Sequence, residues 1–258
     1  MTASQIVGGP SPGDRISEAE WGTRRDLAAS YHLADLYGWS DLTASHISAK
    51  VPGEADAMLI ASFPSFFDQV AASDLVKIDF DGKDLSGTDR PLNPAGVTIH
   101  GAVQRARPDV QCVIHTHSVA GMAVSALDCG LLPITQHALL FYDNIGYHAY
   151  GGIADDLEEG QRIVRDLAQN QALVLRNHGL LVAGRSVPHA FKLMYYLEKS
   201  CQAQLAAMAA ANGAEVVSLS PEVCRHAAEQ YAGLVNFGED DWPGHLQKLD
   251  ELGSKFRN

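Results

Sequence analysis

Two histidines follow a short, nearly continuous apolar run in the middle of the chain. The run extends from Val110 to Ile114, and His115-Thr116-His117 comes directly after it. A run of this length is typical of a strand buried on both faces, and alternate residues of a strand project on the same side. His115 and His117 should therefore project side by side, about 7 Å apart along the backbone. Because a buried imidazole without a partner is costly, the fold has to supply a partner for both rings.

A third histidine stands in a predicted turn between two further apolar runs. The runs over 172–175 and 180–183 indicate two strands, and Asn177-His178-Gly179 lies between them, so His178 should lie at a hairpin tip. If His178 meets the histidine pair, the three rings form a site with an open position, which is typical of catalytic metal sites. The alternative is that the pair consists of two polar residues on the solvated face of a strand. The first interpretation predicts a divalent ion, Zn²⁺ by default, although Mn²⁺, Co²⁺ and Fe²⁺ also suit imidazole ligands.

Length and composition favour one large globular domain. The chain has 258 residues, of which 46% are hydrophobic, and this is enough to build a sizeable core. We expect a disordered arm over 1–16, a folded domain over 17–240 and a loosely attached tail over 241–258. The sequence has neither the pattern of a signal peptide nor an apolar stretch long enough for a membrane span. We therefore expect a cytoplasmic protein with no membrane association.

The charge balance narrows the range of partners. The formal net charge is −12, from 31 acidic and 19 basic residues, whereas nucleic acids and anionic membrane surfaces select clustered basic residues. We therefore expect no nucleic acid and no membrane as partner, and favour a small-molecule substrate. The four cysteines have no Cys-x-x-Cys spacing, so we expect reduced thiols without disulfides.

Helical and strand patterns alternate through the folded part of the chain. Ser17-Glu18-Ala19-Glu20 has the form of a capping box and predicts a helix that stops at Gly38. Strands are predicted over 46–51, 58–63 and 75–80, and helices over 96–107 and 119–127 on either side of the histidine strand. Two more helices, over 155–169 and 186–211, flank the second strand pair. This alternation predicts an α/β fold in one domain.

Several motifs, taken in their order along the chain, resemble those of the class II aldolase and adducin family. They are Asn93-Pro94-Ala95-Gly96, His100, Ala106-Arg107-Pro108-Asp109-Val110, His115-Thr116-His117, Tyr147-His148-Ala149-Tyr150 and Arg176-Asn177-His178-Gly179-Leu180. The resemblance extends from about Ser17 to Ala211. It implies a three-layer α/β/α sandwich around a mainly antiparallel central sheet, assembled as a homotetramer with active sites at subunit interfaces. It also implies that His115, His117 and His178 hold the divalent ion, which is commonly zinc in family aldolases.

Two parts of the chain depart from the sugar-phosphate aldolases that it resembles. Those enzymes carry an acidic residue nineteen positions before the first metal ligand, where this chain has Gly96. Their two phosphate loops correspond to 45–48 and 63–67, where this chain has His46 and several phenylalanines. Sugar-phosphate cleavage is therefore not expected. The phenylalanines either favour a planar, apolar or aromatic substrate or only fill the core.

These loops supply most of the expected substrate-binding residues. We expect His46, Ser48, Ser65, Phe66 and Tyr142 to contact the substrate. His46 replaces an asparagine of the family, and it is expected to bind a carboxylate. The Asn-Pro-Ala-Gly variant resembles family members that decarboxylate aromatic or keto acids.

The expected activity is that of a metal-dependent carbon–carbon lyase acting on a small hydroxy- or keto-carboxylate, aromatic ones included. Decarboxylation or retro-aldol cleavage would proceed through a metal-stabilised enolate. The candidate residues for proton transfer are His148, Tyr150 and His100, and Tyr142 is a further candidate. His148 could instead be a strand-end histidine bonded to backbone, and His100 could orient the metal site. Two other functions stay open: a non-heme iron oxygenase that cleaves a similar substrate, and a non-catalytic adducin-like scaffold.

Overall fold

Seven strands form one sheet at the centre of the molecule. The computed structural model of the protein describes residues 16–152 and 157–258, so the predicted arm over 1–16 lies almost wholly outside the described residues. The strands are β1 (His46–Lys50), β2 (Met58–Ile60), β3 (Val76–Ile78), β4 (Cys112–Thr116), β5 (Ile145–His148), β6 (Ala172–Leu175) and β7 (Gly179–Gly184). Their spatial order is β3-β2-β1-β4-β7-β6-β5. All neighbours are antiparallel except β5 and β6, which are parallel.

Helices cover both faces of the sheet. The α-helices are α1 (Glu18–Leu36), α2 (Pro94–Ala106), α3 (Val119–Ser125), α4 (Gln136–Leu139), α5 (Leu157–Leu167), α6 (Val187–Ala211), α7 (Pro221–Ala232) and α8 (Trp242–Glu251). The first two residues of the helix predicted over 155–169 lie outside the described residues. Strand β5 and helices α4, α7 and α8 were not predicted from the sequence.

The central strands are buried on both faces, as their apolar runs predict. Along β7, Leu180 and Val182 belong to one apolar cluster with residues of α1 and α6, whereas Leu181 and Ala183 belong to another with residues of α2 and α5. Alternate side chains of one strand thus pack into two separate apolar cores, one on each side of the sheet. The predicted three-layer α/β/α sandwich around a mainly antiparallel sheet is confirmed.

Helix α1 begins and ends where its sequence signals predict. The Oγ of Ser17 accepts a hydrogen bond from the backbone N–H of Glu20 at 3.1 Å, which satisfies one of the free donors of the first turn. Gly38 adopts φ +73° just after the helix, a conformation that glycine reaches without steric cost.

The C-terminal segment differs from the loosely attached tail that the sequence predicts over 241–258. Trp242, Leu249 and Phe256 recur every seven residues among polar neighbours, and all three are buried in the larger apolar cluster. The indole N–H of Trp242 also donates to Asp26 Oδ1 at 2.8 Å, and the backbone N–H of Ala72 donates to the carbonyl of Phe256 at 3.0 Å. The segment is polar on average, so its composition did not indicate that these three residues are buried. The proposed division into arm, domain and tail is otherwise untested.

None of the helices within the described ranges combines the length and the apolar character needed to cross a membrane.

Replacing Phe256 by Ala should destabilise the fold strongly, because its ring is completely buried and loss of a buried aromatic ring costs about 3–5 kcal/mol. Leu252→Ala is the matched control, since Leu252 is 61% exposed. The free energy of unfolding in urea measures both. Equal, small effects would show that the segment after α7 is attached loosely after all.

Candidate metal centre

The Nε2 atoms of three histidines converge at one end of the sheet. Nε2 of His117 lies 2.9 Å from Nε2 of His115 and 2.9 Å from Nε2 of His178, and all three ligand atoms fall within 4.8 Å of one another. The topology explains the meeting, because β4 pairs antiparallel with β7 and Thr116 lies opposite Leu180. The end of the histidine strand therefore lies beside the β6–β7 turn that carries His178. The predicted hairpin position of His178 is confirmed.

Hydrogen bonds at Nδ1 fix the orientation of the His115 and His117 rings. Nδ1 of His115 lies 2.9 Å from the carbonyl oxygen of Leu180, and Nδ1 of His117 lies 2.9 Å from Oδ2 of Asp41. Since a carbonyl and a carboxylate only accept hydrogen bonds, each Nδ1 must carry the hydrogen and each Nε2 of a neutral ring is bare. Two bare nitrogens facing each other at 2.9 Å repel unless a cation binds between them. The donor set therefore fits a metal ion, with the ring orientation held from behind as in many metal sites.

The turn that carries His178 is held by Ser125 of α3. The backbone N–H of His178 donates to Oγ of Ser125 at 3.2 Å, and that of Asn177 donates to the Ser125 carbonyl at 3.3 Å. Asn177 has φ +57°, a left-handed conformation that asparagine tolerates better than most residues. A Cβ on Gly179 would lie only 2.4 Å from the carbonyl oxygen of Thr116. Glycine is therefore needed for the turn to approach the histidine strand.

Burial keeps the imidazoles of His115 and His178 neutral. It holds the pKa of His115 well below its usual range, and the neighbouring His46 and His117 rings add to this effect. Burial, followed by the nearby His117 and His148 rings, lowers the pKa of His178 to about 4. Neutral imidazole is the form that binds a metal, so protons compete weakly for these two ligands at neutral pH.

A small cleft on one side of the three histidines contains two of the predicted substrate-binding residues. His46 and Ser65 line it together with Thr43, Ser45, Ser62, Phe63 and Asn93. Phe66 is 46% exposed and is not among the described residues that line the cleft. The Oγ of Ser45 is buried, and within the described ranges it has no hydrogen-bond partner. An unpaired buried hydroxyl at this position is available to a ligand.

The Asn-Pro-Ala-Gly motif begins with Asn93, which lines this cleft. Oδ1 of Asn93 caps α2 by accepting from the backbone N–H of Ala95 at 3.0 Å, and its Nδ2 donates to the Thr43 carbonyl at 3.1 Å. Pro94 occupies the first turn of the helix, where its missing N–H costs nothing. The motif thus ties the start of α2 to the loop that precedes β1.

His100 and Ser48 lie behind His46 and outside the cleft. Both are fully buried, with Nδ1 of His100 2.6 Å from Oγ of Ser48 and Nε2 of His100 2.7 Å from Nδ1 of His46. The structure therefore differs from the expectation that Ser48 binds substrate and that His100 transfers a proton to it. Any effect of these two side chains on a ligand has to pass through His46.

His148 and Tyr150 lie on the other side of the three histidines. Both line a second cleft with His178 and Arg176, and the Tyr150 ring is 6.2 Å from that of His178. Nδ1 of His148 lies 2.7 Å from Asp166 Oδ2 and its Nε2 lies 2.9 Å from Glu159 Oε1. Carboxylates therefore engage both nitrogens of His148, whereas Tyr150 is 56% exposed. Of the two candidates, Tyr150 is the one that can reach a ligand.

Tyr142 is not brought to the site. It lines a separate groove with Arg185 and Tyr231, and the described lining of that groove includes none of the three histidines. Tyr142 precedes β5, whose first residue Ile145 pairs with Ala172 at the far end of the sheet, and only the last residue of β5, His148, reaches the metal end. The expected contact between Tyr142 and the substrate is therefore not supported.

Sequence reasoning missed Asp41 and Gln104. Asp41 lies in a polar loop before β1 and meets His117 only through the fold. Gln104 follows His100 by one helical turn, and its Nε2 donates to Ser48 Oγ at 2.8 Å. Neither belongs to a motif that the sequence analysis singled out, and both contacts join residues far apart in the sequence.

Asp41→Ala should weaken metal binding about 10- to 100-fold, because the ring of His117 loses the acceptor that orients it. Titration with Zn²⁺ against a competing chelator measures the affinity. The control is Asp81→Ala, which removes an exposed carboxylate whose ion-pair partner is Arg105. If both variants bind zinc as tightly as the parent chain, Asp41 does not support the site.

Comparison with known proteins agrees with this geometry. The family model described as "Class II Aldolase and Adducin N-terminal domain" matches residues 25–205. A Pseudomonas aeruginosa protein provisionally named as a class 2 aldolase is 44% identical over 248 residues, which cover 94% of this chain and 95% of that protein. Mouse alpha-adducin is also 44% identical, over 244 residues that cover 89% of this chain but only 33% of adducin.

Solved structures lead to the same family. An aldolase II superfamily protein from Pseudomonas syringae has a TM-score of 0.89 and 42% identity, covering 95% of this chain and 99% of that one. An L-fuculose 1-phosphate aldolase from Glaciozyma antarctica has a TM-score of 0.82 and 27% identity, with 97% of both chains covered. The chain therefore belongs to the class II aldolase and adducin family.

Proposed function

We propose that the protein is a metal-dependent carbon–carbon lyase that acts on a small hydroxy- or keto-carboxylate by decarboxylation or retro-aldol cleavage. The observation that carries the proposal is the convergence of His115, His117 and His178, two of them with hydrogen-bonded Nδ1 atoms and bare Nε2 atoms 2.9 Å apart. Three imidazole nitrogen donors with an open side are the usual arrangement of a catalytic rather than a structural site.

Zn²⁺ is the ion we propose, and Mn²⁺, Co²⁺ and Fe²⁺ are the alternatives that imidazole donors also accommodate. When bound, a divalent ion supplies a Lewis acid that stabilises negative charge on a substrate oxygen by several kcal/mol. His115 is almost fully buried, whereas His117 and His178 are partly exposed. The ligand set is thus closed towards the core and open towards the clefts, where a substrate can enter.

The cleft beside His46 supports a small carboxylate as substrate. Its described lining carries the hydroxyls of Ser45, Ser62 and Ser65 but neither Lys nor Arg, so it suits a singly charged group better than a doubly charged phosphate. Phe63 and Phe67 add apolar surface that a planar or aromatic portion of the substrate can contact. The relative from Glaciozyma antarctica is named for a sugar phosphate. This chain, however, has Gly96 where the sugar-phosphate aldolases of the family carry an acidic residue.

Tyr150 is the residue we propose to hold or move a proton at its phenolic oxygen. Its ring is exposed and lies beside His178, and a phenol at this distance from the metal ligands can reach a bound substrate. His148 positions the segment before Tyr150, because Asp166 and Glu159 engage both of its ring nitrogens.

A non-catalytic scaffold is the second candidate, and one observation favours it. Mouse alpha-adducin is as similar to this chain as the Pseudomonas aeruginosa protein is, at 44% identity. A scaffold would need the fold but not turnover. A non-heme iron oxygenase is the third candidate, and it would consume oxygen with its substrate.

We also propose that the protein is a cytoplasmic homotetramer with active sites at subunit interfaces. Helix α3 begins two residues after His117, and it exposes Val119 and Met122 by 79% and 40% of their surface. Exposed apolar side chains beside the site favour a subunit contact there.

Light scattering on the purified chain should therefore give four times the monomer mass, and Val119→Asp should lower it by placing a charge in the contact. A monomeric parent chain, or a Val119→Asp tetramer with unchanged stability, would contradict this assembly.

His117→Ala should remove most of the bound metal and nearly all turnover while leaving the fold intact, because two imidazoles rarely retain a divalent ion tightly. Metal content is measured by elemental analysis. Turnover is measured on a panel of 2-hydroxy- and 2-keto-carboxylates by release of carbon dioxide or of a new carbonyl compound, and folding by circular dichroism. His226→Ala is the control, since His226 is an exposed residue of α7.

Three outcomes separate the candidates. Failure of the parent chain to bind any divalent ion stoichiometrically would contradict the lyase and the oxygenase together. Metal binding without turnover of any panel member would favour the scaffold. Turnover that requires and consumes oxygen would replace the lyase by the oxygenase.

A further inference from the structure

Four buried side chains form a hydrogen-bonded row that ends at the metal centre. Nε2 of Gln104 lies 2.8 Å from Oγ of Ser48, which lies 2.6 Å from Nδ1 of His100, and Nε2 of His100 lies 2.7 Å from Nδ1 of His46. All four residues are at most 4% exposed. His46 and Ser48 share one face of β1, while His100 and Gln104 are one turn apart on α2. Strand and helix thus place alternate members of the row.

The first member sets the direction of every hydrogen bond in the row. An amide nitrogen only donates, so Oγ of Ser48 accepts from Gln104. The other partner of this buried hydroxyl within the described residues is Nδ1 of His100, so the hydroxyl donates its hydrogen there, since the hydrogen would otherwise be unpaired. Nδ1 of His100 is then an acceptor, and a neutral ring must carry its hydrogen on Nε2 and donate it to His46. Burial lowers the pKa of His100 to about 3, which keeps that ring neutral. By the same rule, His46 accepts at Nδ1 and carries its hydrogen on Nε2.

The side-chain amide of Gln104 is oriented so that its oxygen, rather than its nitrogen, is left without a hydrogen-bond partner, and this is the less costly of the two orientations. In this orientation Oε1 of Gln104 is buried, and within the described ranges it has no partner. Rotating the amide by 180° would pair the oxygen but leave the nitrogen with two unpaired hydrogens. Buried N–H groups without partners are rarer than buried carbonyls without partners, so the donor end of the amide belongs next to Ser48.

Within the described residues the hydrogen on Nε2 of His46 has no acceptor, since the hydrogen bond of this ring is made by Nδ1, to the nitrogen of His100 on the other side. His46 lines the cleft with Ser45, and its ring lies 4.9 Å from that of His115. At Gly96, a Cβ would lie 3.2 Å from Cγ of His46. The bare glycine therefore makes room for the imidazole and places no carboxylate beside it.

We propose that Gln104, Ser48 and His100 are positioning residues that fix His46 as the Nε2–H tautomer, so that it donates a hydrogen bond to an anionic oxygen of a substrate bound at the three histidines. The nature of that ligand rests on the proposed function, whereas the tautomer does not. His46 is then a neutral donor rather than a fourth metal ligand or a base. The open hydroxyl of Ser45 supplies a second donor in the same cleft.

Nitrogen NMR of the zinc-loaded chain, labelled with ¹⁵N-histidine, tests the tautomer directly, because protonated and bare ring nitrogens resonate far apart. Spectra of His46→Gln assign the His46 signals. We expect Nε2 of His46 to be protonated and Nδ1 to be bare in the parent chain. The opposite tautomer would overturn the proposal, and this measurement needs no variant of the row.

Gln104→Met removes the donor that sets the direction while keeping a similar side-chain volume. Both tautomers of His46 should then be populated. Ser30→Ala is the matched control, because Ser30 is a fully buried serine of α1 whose Oγ has no partner among the described residues. It should leave the single tautomer unchanged. A single, unchanged tautomer in Gln104→Met would show that the row does not control His46.

Glycolate, the smallest 2-hydroxycarboxylate, serves as the probe ligand. Its addition to the zinc-loaded chain should shift the Nε2 proton signal of His46 downfield, and His46→Phe should weaken glycolate binding about tenfold or more, as expected for a hydrogen bond to a charged group. Glycolate that binds without either effect would overturn the donor role. Zinc content of Gln104→Met is measured separately and should match the parent chain. Loss of zinc from the parent chain would instead refute the proposed function.

Discussion

The metal site depends on the convergence of three imidazoles, two of which are oriented by hydrogen bonds at Nδ1. Leu180 and Asp41 each take the hydrogen of a ring nitrogen at His115 and His117, and this leaves two bare nitrogens facing each other at 2.9 Å. A protein gains nothing from such a contact by itself, because buried lone pairs without donors cost free energy. The pairing of β4 with β7 and the left-handed turn at Asn177 bring the third ring to the same point. The backbone therefore prepares the site before any ion arrives.

Hydrogen-bond direction connects this centre to its surroundings. Acceptors behind His115 and His117 turn those rings into ligands, whereas a donor behind His46, relayed from Gln104, turns that ring into a donor. Rings of the same chemical type thus take opposite roles within about 5 Å of each other. The difference arises from what lies behind each ring, since a neutral imidazole has one donor and one acceptor nitrogen. Gly96 completes the arrangement by leaving space for His46.

The sequence predicted the parts of this arrangement that depend on local pattern. The apolar run before His115, the turn at His178 and the cap at Ser17 each have a signal within a few residues, and the structure has all three. It could not predict contacts that exist only after folding. Asp41 reaches His117 across 76 positions, and Gln104 reaches Ser48 across 56. Tyr142 shows the same limit, because His148 and Tyr150, which follow it closely in the sequence, reach the metal end of the sheet, whereas Tyr142 lies at the far end.

X-ray absorption spectroscopy on the purified protein tests the central claim most directly. The account predicts one bound divalent ion whose first coordination shell contains three imidazole nitrogens, at about 2.0–2.1 Å if the ion is zinc, with lighter oxygen scatterers in the remaining positions. A shell without imidazole scattering, or one that contains sulfur from the cysteines, would contradict the assignment of His115, His117 and His178 as the metal ligands.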